Sequence, residues 1–146
     1  MLTRREVAVA LISVACTVGG LALAEELPML GPAVFNRESI PAKTTAVGSV
    51  RSFFTMRTPT LDQLEVHETT LNPGKMPHQP HKHPNEEMLV IRQGTVEALV
   101  KGEWKRVGPG SVIFNASNQL HGLRNVGSEP AIYTVINFKT DKTPAQ

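Results

Sequence analysis

Apolar and β-branched residues fall in short runs along this chain, and turn-forming residues separate the runs. Residues 47–61 (VGSVRSFFTMRTPTL) and 64–71 (LEVHETTL) are rich in Val, Thr, Phe and Leu and bounded by Pro and Gly, the pattern of strands. LNPG (71–74) then reads as a turn with Pro73 and Gly74 in its middle positions. EMLVIRQG (87–94) is a further strand. Residues 94–108 (GTVEALVKGEWKRVG) read as a hairpin with Lys101 and Gly102 at its tip. GPG (108–110) turns the chain into SVIFN (111–115), and AIYTVINF (131–138) is the last strand. Strands this short, with turns every eight to twelve residues, predict a β-sandwich or small barrel. No window has the periodicity of an amphipathic helix, and no repeat of fixed period is present.

One stretch carries the chemistry: Gly74 to Gly94, GKMPHQPHKHPNEEMLVIRQG. Alternate residues of a strand face the same way. If 81–91 is extended, His81, His83 and Glu87 share one face with Leu89 and Ile91, while Met88, Val90 and Arg92 take the other. Two imidazoles and a carboxylate then enter an apolar interior, which is costly unless each gains a strong partner. A divalent cation supplies that partner. A hydrogen-bonded surface loop is the plainer alternative, and the i, i+2 histidine pair with a glutamate four residues on argues against it. A further histidine, His121, begins a strand of its own after a loop and can complete the set. Three imidazoles and one carboxylate suit Mn, Fe, Ni, Cu or Zn better than Ca or Mg. By the same parity Glu86 faces outward. His78, beyond Pro80, is either a loop histidine or a residue at the pocket mouth. His67 lies on another strand and is expected to be hydrogen-bonded or exposed.

Composition bounds what else the chain can do. Its 146 residues make one domain of ordinary size, and 40% apolar content supports a real core. The formal charge is +2, and removing 1–24, which holds Arg4, Arg5 and Glu6, leaves +1. That balance gives no reason to expect nucleic acid or an anionic membrane as partner. The first residues, MLTRREVAVALISVACTVGGLALAEE, combine a basic start, an apolar run and Ala22-Leu23-Ala24 ahead of two glutamates. This is the pattern of a signal peptide spanning 1–24, and Arg4-Arg5 gives it a twin-arginine cast. The expected location is therefore periplasmic or secreted, with no membrane association once the signal is removed. A retained anchor is the competing reading, since the run is long enough to span. Cys16 is the sole cysteine, so the mature chain has neither disulfides nor a thiol nucleophile. Residues 25–60 form an N-terminal arm with strands, 61–140 the metal-binding domain, and 141–146 a polar tail.

These residues closely resemble the cupin family. Its first motif, G-x5-H-x-H-x3,4-E-x6-G, is matched by Gly74, His81, His83, Glu87 and Gly94, with six rather than five residues after the first glycine. Its second, G-x5-P-x-G-x2-H-x3-N, is matched by Gly110, His121 and Asn125, with Ala116 and Asn118 in the Pro and Gly positions. The resemblance covers about residues 64–138. It implies an all-β double-stranded β-helix, or jelly-roll, barrel with His81, His83, Glu87 and His121 as ligands of one divalent transition metal ion near one mouth. It also implies a homodimer in which N-terminal strands cross to the partner.

The chain has no phosphate loop, no Ser/His/Asp set and no nucleotide motif, so chemistry falls to the metal and the pocket wall. A dioxygenase-type oxidoreductase acting on a small organic substrate is the leading expectation, with Phe114, Tyr133 and Met76 as candidate apolar walls and Met88 as a fourth that strand parity turns outward. A metal-assisted lyase or isomerase is the alternative, and His78 is its candidate general base. A non-enzymatic module that binds a small ligand or sugar is the third.

Overall fold

The structure, a computed structural model, describes residues 26–145; the expected signal segment and Cys16 lie outside them. Nine strands follow one another: β1 (Lys43–Thr45), β2 (Gly48–Met56), β3 (Gln63–Leu71), β4 (Glu86–Gln93), β5 (Val96–Val100), β6 (Glu103–Val107), β7 (Val112–Asn115), β8 (Gly122–Asn125) and β9 (Ala131–Lys139). They build a six-stranded sheet in the order β1-β2-β3-β9-β4-β7 and a three-stranded sheet in the order β6-β5-β8. All these pairings are antiparallel. The fold is the all-β double-stranded β-helix. No helix among the described residues is long and apolar enough to cross a membrane.

The local sequence explains the elements. At the β5–β6 hairpin Lys101 and Gly102 both have positive φ, 52° and 84°, as a two-residue turn between twisted strands requires. Strand β2 pairs with β3 almost throughout, so the arm of residues 25–60 adds two strands to the larger sheet of its own chain. The core lies between the sheets. Leu71, Leu89, Ile91, Tyr133 and Val135 come from the larger one, and Val96, Ala98 and Leu123 from the smaller.

The register across the larger sheet sets out the interior. Glu65 on β3 and Glu87 on β4 both face Asn137 on β9, and Glu87 also faces Asn115 on β7. One step along, His67, Val135, Leu89 and Ile113 form the next row. A polar row therefore lies beside an apolar one on the inner face.

Outside the sheet a buried carboxylate ties down the arm. Glu68 is only 3% exposed and receives Arg37 Nη2 at 2.7 Å and Arg92 Nη1 at 2.7 Å, with Arg51 Nε at 3.7 Å. The hydrogen bond from Arg37, opposed by burial and helped by the charges of all three arginines, holds its carboxyl below the ordinary range. The folded carboxyl thus ionises at lower pH than the unfolded one. Its contribution is complete above the ordinary carboxylate range and is lost as pH falls through the folded value. Glu68→Gln is expected to cost on the order of 1 kcal/mol at neutral pH, because the arginines are part-exposed, and to converge with wild type in acid. Urea unfolding at both pH values checks this; a gap that does not change with pH would refute it.

Candidate metal centre

The two motif histidines His81 and His121 meet through their main chains. Each N–H donates to the other's carbonyl at 3.0 Å, an isolated antiparallel bridge at the end of the barrel. The chain does not stay extended from 81 to 91, as the parity argument had assumed. It bends at Pro84 and Asn85, and β4 begins only at Glu86. Proline cannot donate to a ladder, and prolines sit on both sides of the His81–His83 segment. The bend is stapled: His83 Nδ1–H donates to the Asn85 carbonyl at 2.9 Å, and Asn118 N–H donates to the His83 carbonyl at 2.8 Å. Asn118 stands where the family motif has glycine and keeps the left-handed backbone, φ 58°. Asparagine tolerates that region better than most residues, so the loop's turn survives the substitution.

Despite the bend, His81, His83 and His121 converge, with one nitrogen of each lying within 4.8 Å of the others. They are close enough to bind a metal ion. Glu87 borders the same space: its Oε1 lies 3.8 Å from His121 Nε2 and its Oε2 lies 4.0 Å from His83 Nε2. These separations exceed a hydrogen bond, so the groups face a shared space rather than each other. The supporting bonds fix the tautomers. His121 Nδ1–H donates to the Gln119 carbonyl at 2.8 Å, as His83 Nδ1–H does to Asn85, which turns both Nε2 lone pairs inward. Asn115 Nδ2 donates to Glu87 Oε1 at 2.8 Å and orients the carboxylate. Burial, then the neighbouring imidazoles His78, His121 and His83, push the His81 pKa down and keep its ring neutral.

Two atoms are conspicuous. His121 Nε2 and His81 Nδ1 are buried without a hydrogen-bond partner. An unpaired buried polar atom costs roughly 1–3 kcal/mol, and two in one cluster point to a missing common partner. A divalent transition metal ion fits these donors: three neutral nitrogens and one carboxylate oxygen.

The cluster opens on a cavity of about 480 Å³. Leu89, Ile113, Tyr133 and Val135 make an apolar wall to it. Tyr133 is 2% exposed, and burial pushes its phenol well up, so it stays protonated. The other candidate walls lie elsewhere. Met88 and Phe114 pair on the outer face, where Phe114 is 51% exposed, and Met76 does not border the cavity. The parity that points Glu87 and Leu89 inward necessarily points Met88 out. Glu86 is likewise absent from the lining. His78 borders the cavity with its ring edge-on to His81, centroids 4.2 Å apart, but stands outside the three-histidine cluster.

Sequence reasoning missed a second polar group on the cavity wall, two strands from Glu87 on the same sheet. Glu65, His67, Asn85 and Asn137 all line the cavity. His67 Nδ1 lies 2.5 Å from Glu65 Oε1, Asn137 Nδ2 donates to Glu65 Oε2 at 2.6 Å, and Asn85 Nδ2 donates to Asn137 Oδ1 at 2.9 Å. The available signal was the odd-number parity of Glu65 and His67 on one strand. Their partner Asn137 is 72 residues from Glu65, and only the β3–β9 register reveals it.

Comparison with known proteins agrees with this fold. Residues 67–137 match the family model of the cupin domain. The chain carries a cupin domain. Solved structures resembling this cupin are diverse. A conserved protein with a double-stranded β-helix domain from Klebsiella pneumoniae is 17% identical, over 76% of this chain and 93% of that one, with a TM-score of 0.61. The polyketide cyclase RemF from Streptomyces resistomycificus is 17% identical, over 75% and 80%, with a TM-score of 0.58. A predicted oxalate decarboxylase from Thermotoga maritima is 18% identical, over 73% and 99%, also at 0.58. At such identities the likeness establishes the shared fold. No curated protein matches the sequence of this cupin.

Proposed function

We propose that this cupin is an exported metal-dependent enzyme, a dioxygenase-type oxidoreductase acting on a small organic substrate. In this reading His81, His83, Glu87 and His121 hold one divalent transition metal ion. One observation carries it: the inward Nε2 atoms of His83 and His121 and the Glu87 carboxylate border a cavity with an apolar wall. These four residues would hold the ion on its protein side and leave it accessible from the cavity, whereas structural sites are closed. The bound ion would supply Lewis-acid and redox chemistry. The protein's own groups would orient the substrate and exclude bulk water. Export rests on the sequence of residues 1–24.

Metal analysis comes first, with about one Fe or Mn per chain as the expected result. The metal-loaded protein is then expected to consume O2 with at least one member of a panel of catechols, diketones and flavonols. No uptake across the panel from fully loaded protein would reject the dioxygenase reading. A metal-assisted lyase or isomerase would then take its place. A specific observation favours that second reading, because the Glu65–His67 pair supplies the base such a reaction needs.

A further inference from the structure

We propose that His67, oriented by Glu65, is the general base of the cavity and removes a proton from a small enolisable carbonyl compound. This inference rests on the proposed metal centre and assigns a role to the part of the cavity wall beside it. His67 and Glu65 are two residues apart on β3 and both border the cavity. With Nδ1–H donating to Glu65 Oε1 at 2.5 Å, the His67 imidazole carries its basic lone pair on Nε2. That is the arrangement in which a carboxylate fixes a histidine's tautomer and stabilises the imidazolium once a proton arrives.

The carboxylate is itself fixed. Burial pushes the Glu65 carboxyl up, but hydrogen bonds from His67 and Asn137 outweigh it and hold the carboxyl below its ordinary range. Asn137 is held by Asn85, whose carbonyl accepts the His83 Nδ1–H. One hydrogen-bonded chain thus runs from the base through Glu65, Asn137 and Asn85 to a histidine of the cluster. The register sets the spacing. Glu65 and Glu87 flank Asn137 on neighbouring strands, so their backbones are two strand spacings apart, about 10 Å. His78 is a poorer candidate: its Nδ1 is satisfied by the adjacent Gln79 carbonyl, and that contact is exposed.

The step balances without a co-reactant. His67 Nε2 takes the proton α to the carbonyl, the C–H bond breaks, and its electron pair moves into the carbon–oxygen framework as an enolate. The imidazolium and the Glu65 carboxylate remain as a neutral pair. Return of the proton to another carbon isomerises the substrate, and return from solvent exchanges it.

The test uses the zinc-loaded full chain, since zinc has no redox chemistry, and 2-oxobutanoate in D2O, with loss of the C3 protons followed by NMR. Wild type is expected to bind about one zinc and to exchange these protons faster than free zinc does. His67→Gln is expected to keep its zinc and lose exchange by about 100-fold or more. Glu65→Gln, a positioning change, is expected to keep zinc, slow exchange less and move its pH profile. Long-range 1H–15N spectra give a readout independent of turnover: His67 Nδ1–H in wild type, with altered tautomer balance in Glu65→Gln. Failure of wild type to bind zinc overturns the metal centre and this inference with it. With zinc bound, wild-type exchange at the background rate, or equal exchange in His67→Gln, overturns the base alone. Zinc loss in His67→Gln overturns it too, by making His67 a support of the metal site.

Discussion

Replacing His121 with alanine is expected to strip the metal from the protein while leaving the barrel folded. The wild-type side chain contributes an inward, buried Nε2 with no protein partner, and its Nδ1–H is spent on the Gln119 carbonyl. Supporting groups around metal ligands are worth 10–100-fold in affinity, so losing a ligand should exceed about 100-fold. Metal content after dialysis against a mild chelator should fall below about a tenth of wild type. The fold should persist because the bridge between His121 and His81 is made by main-chain atoms, which alanine retains. Glu86→Gln is the control. Glu86 is on β4 beside Glu87 but points away from the cavity, and its replacement should leave metal content unchanged. Full metal in His121→Ala, or large loss in Glu86→Gln, would mean that the donors are misassigned. Metal that binds the folded state also stabilises it, so added ion should raise the melting temperature of wild type and not of His121→Ala.

Local signals made much of this legible beforehand. The Pro73-Gly74 and Lys101-Gly102 turns, the β-branched runs and the inward parity of Glu87, Leu89 and Ile91 are all short-range features. Each is written within a few residues of where it acts. Parity worked less well where prolines interrupt it. His81 and His83 do meet His121 beside Glu87, but across a bend at Pro84–Asn85 rather than along one strand. The apolar walls were harder: Phe114 looks like lining by composition, yet faces outward on β7 beside Met88, which parity already turned out. The Glu65–His67 pair was hardest. His67 is hydrogen-bonded, as a lone histidine on a strand is expected to be. What gives the pair meaning is Asn137, brought in by pairing β3 with β9. Such long-range register follows from the whole arrangement of the sheet and not from any window of sequence.

Asn125→Ala is expected to cost the largest share of stability, about 3 kcal/mol, or a drop in melting temperature of about 10 °C. The residue is 1% exposed and its amide is fully used. Its Nδ2 donates to the Leu71 and Glu129 carbonyls, each at 2.9 Å, and its Oδ1 accepts the Gly127 N–H at 2.9 Å. Truncation removes three hydrogen bonds at about 1 kcal/mol each, against a typical total of only about 5–15 kcal/mol, although the Gly127 N–H keeps the Thr95 carbonyl at 3.1 Å. Asn125→Asp separates hydrogen bonding from packing. An aspartate fills the same volume and can still accept from Gly127, but its carboxylate meets two carbonyl oxygens it cannot donate to. It should therefore be at least as destabilising as alanine at neutral pH in urea unfolding. A near-wild-type Asn125→Asp would show that volume, not donation, is what the site requires. The same residue explains why the two motifs act together. Its main chain exchanges bonds with the first-motif turn, Gly74 N–H to the Asn125 carbonyl at 3.1 Å and Asn125 N–H to the Lys75 carbonyl at 2.9 Å. Asn125 thus joins the turn that leads toward His81 to the strand that follows His121. Loosening it should weaken metal retention as well as stability, although Asn125 is not among the clustered donors.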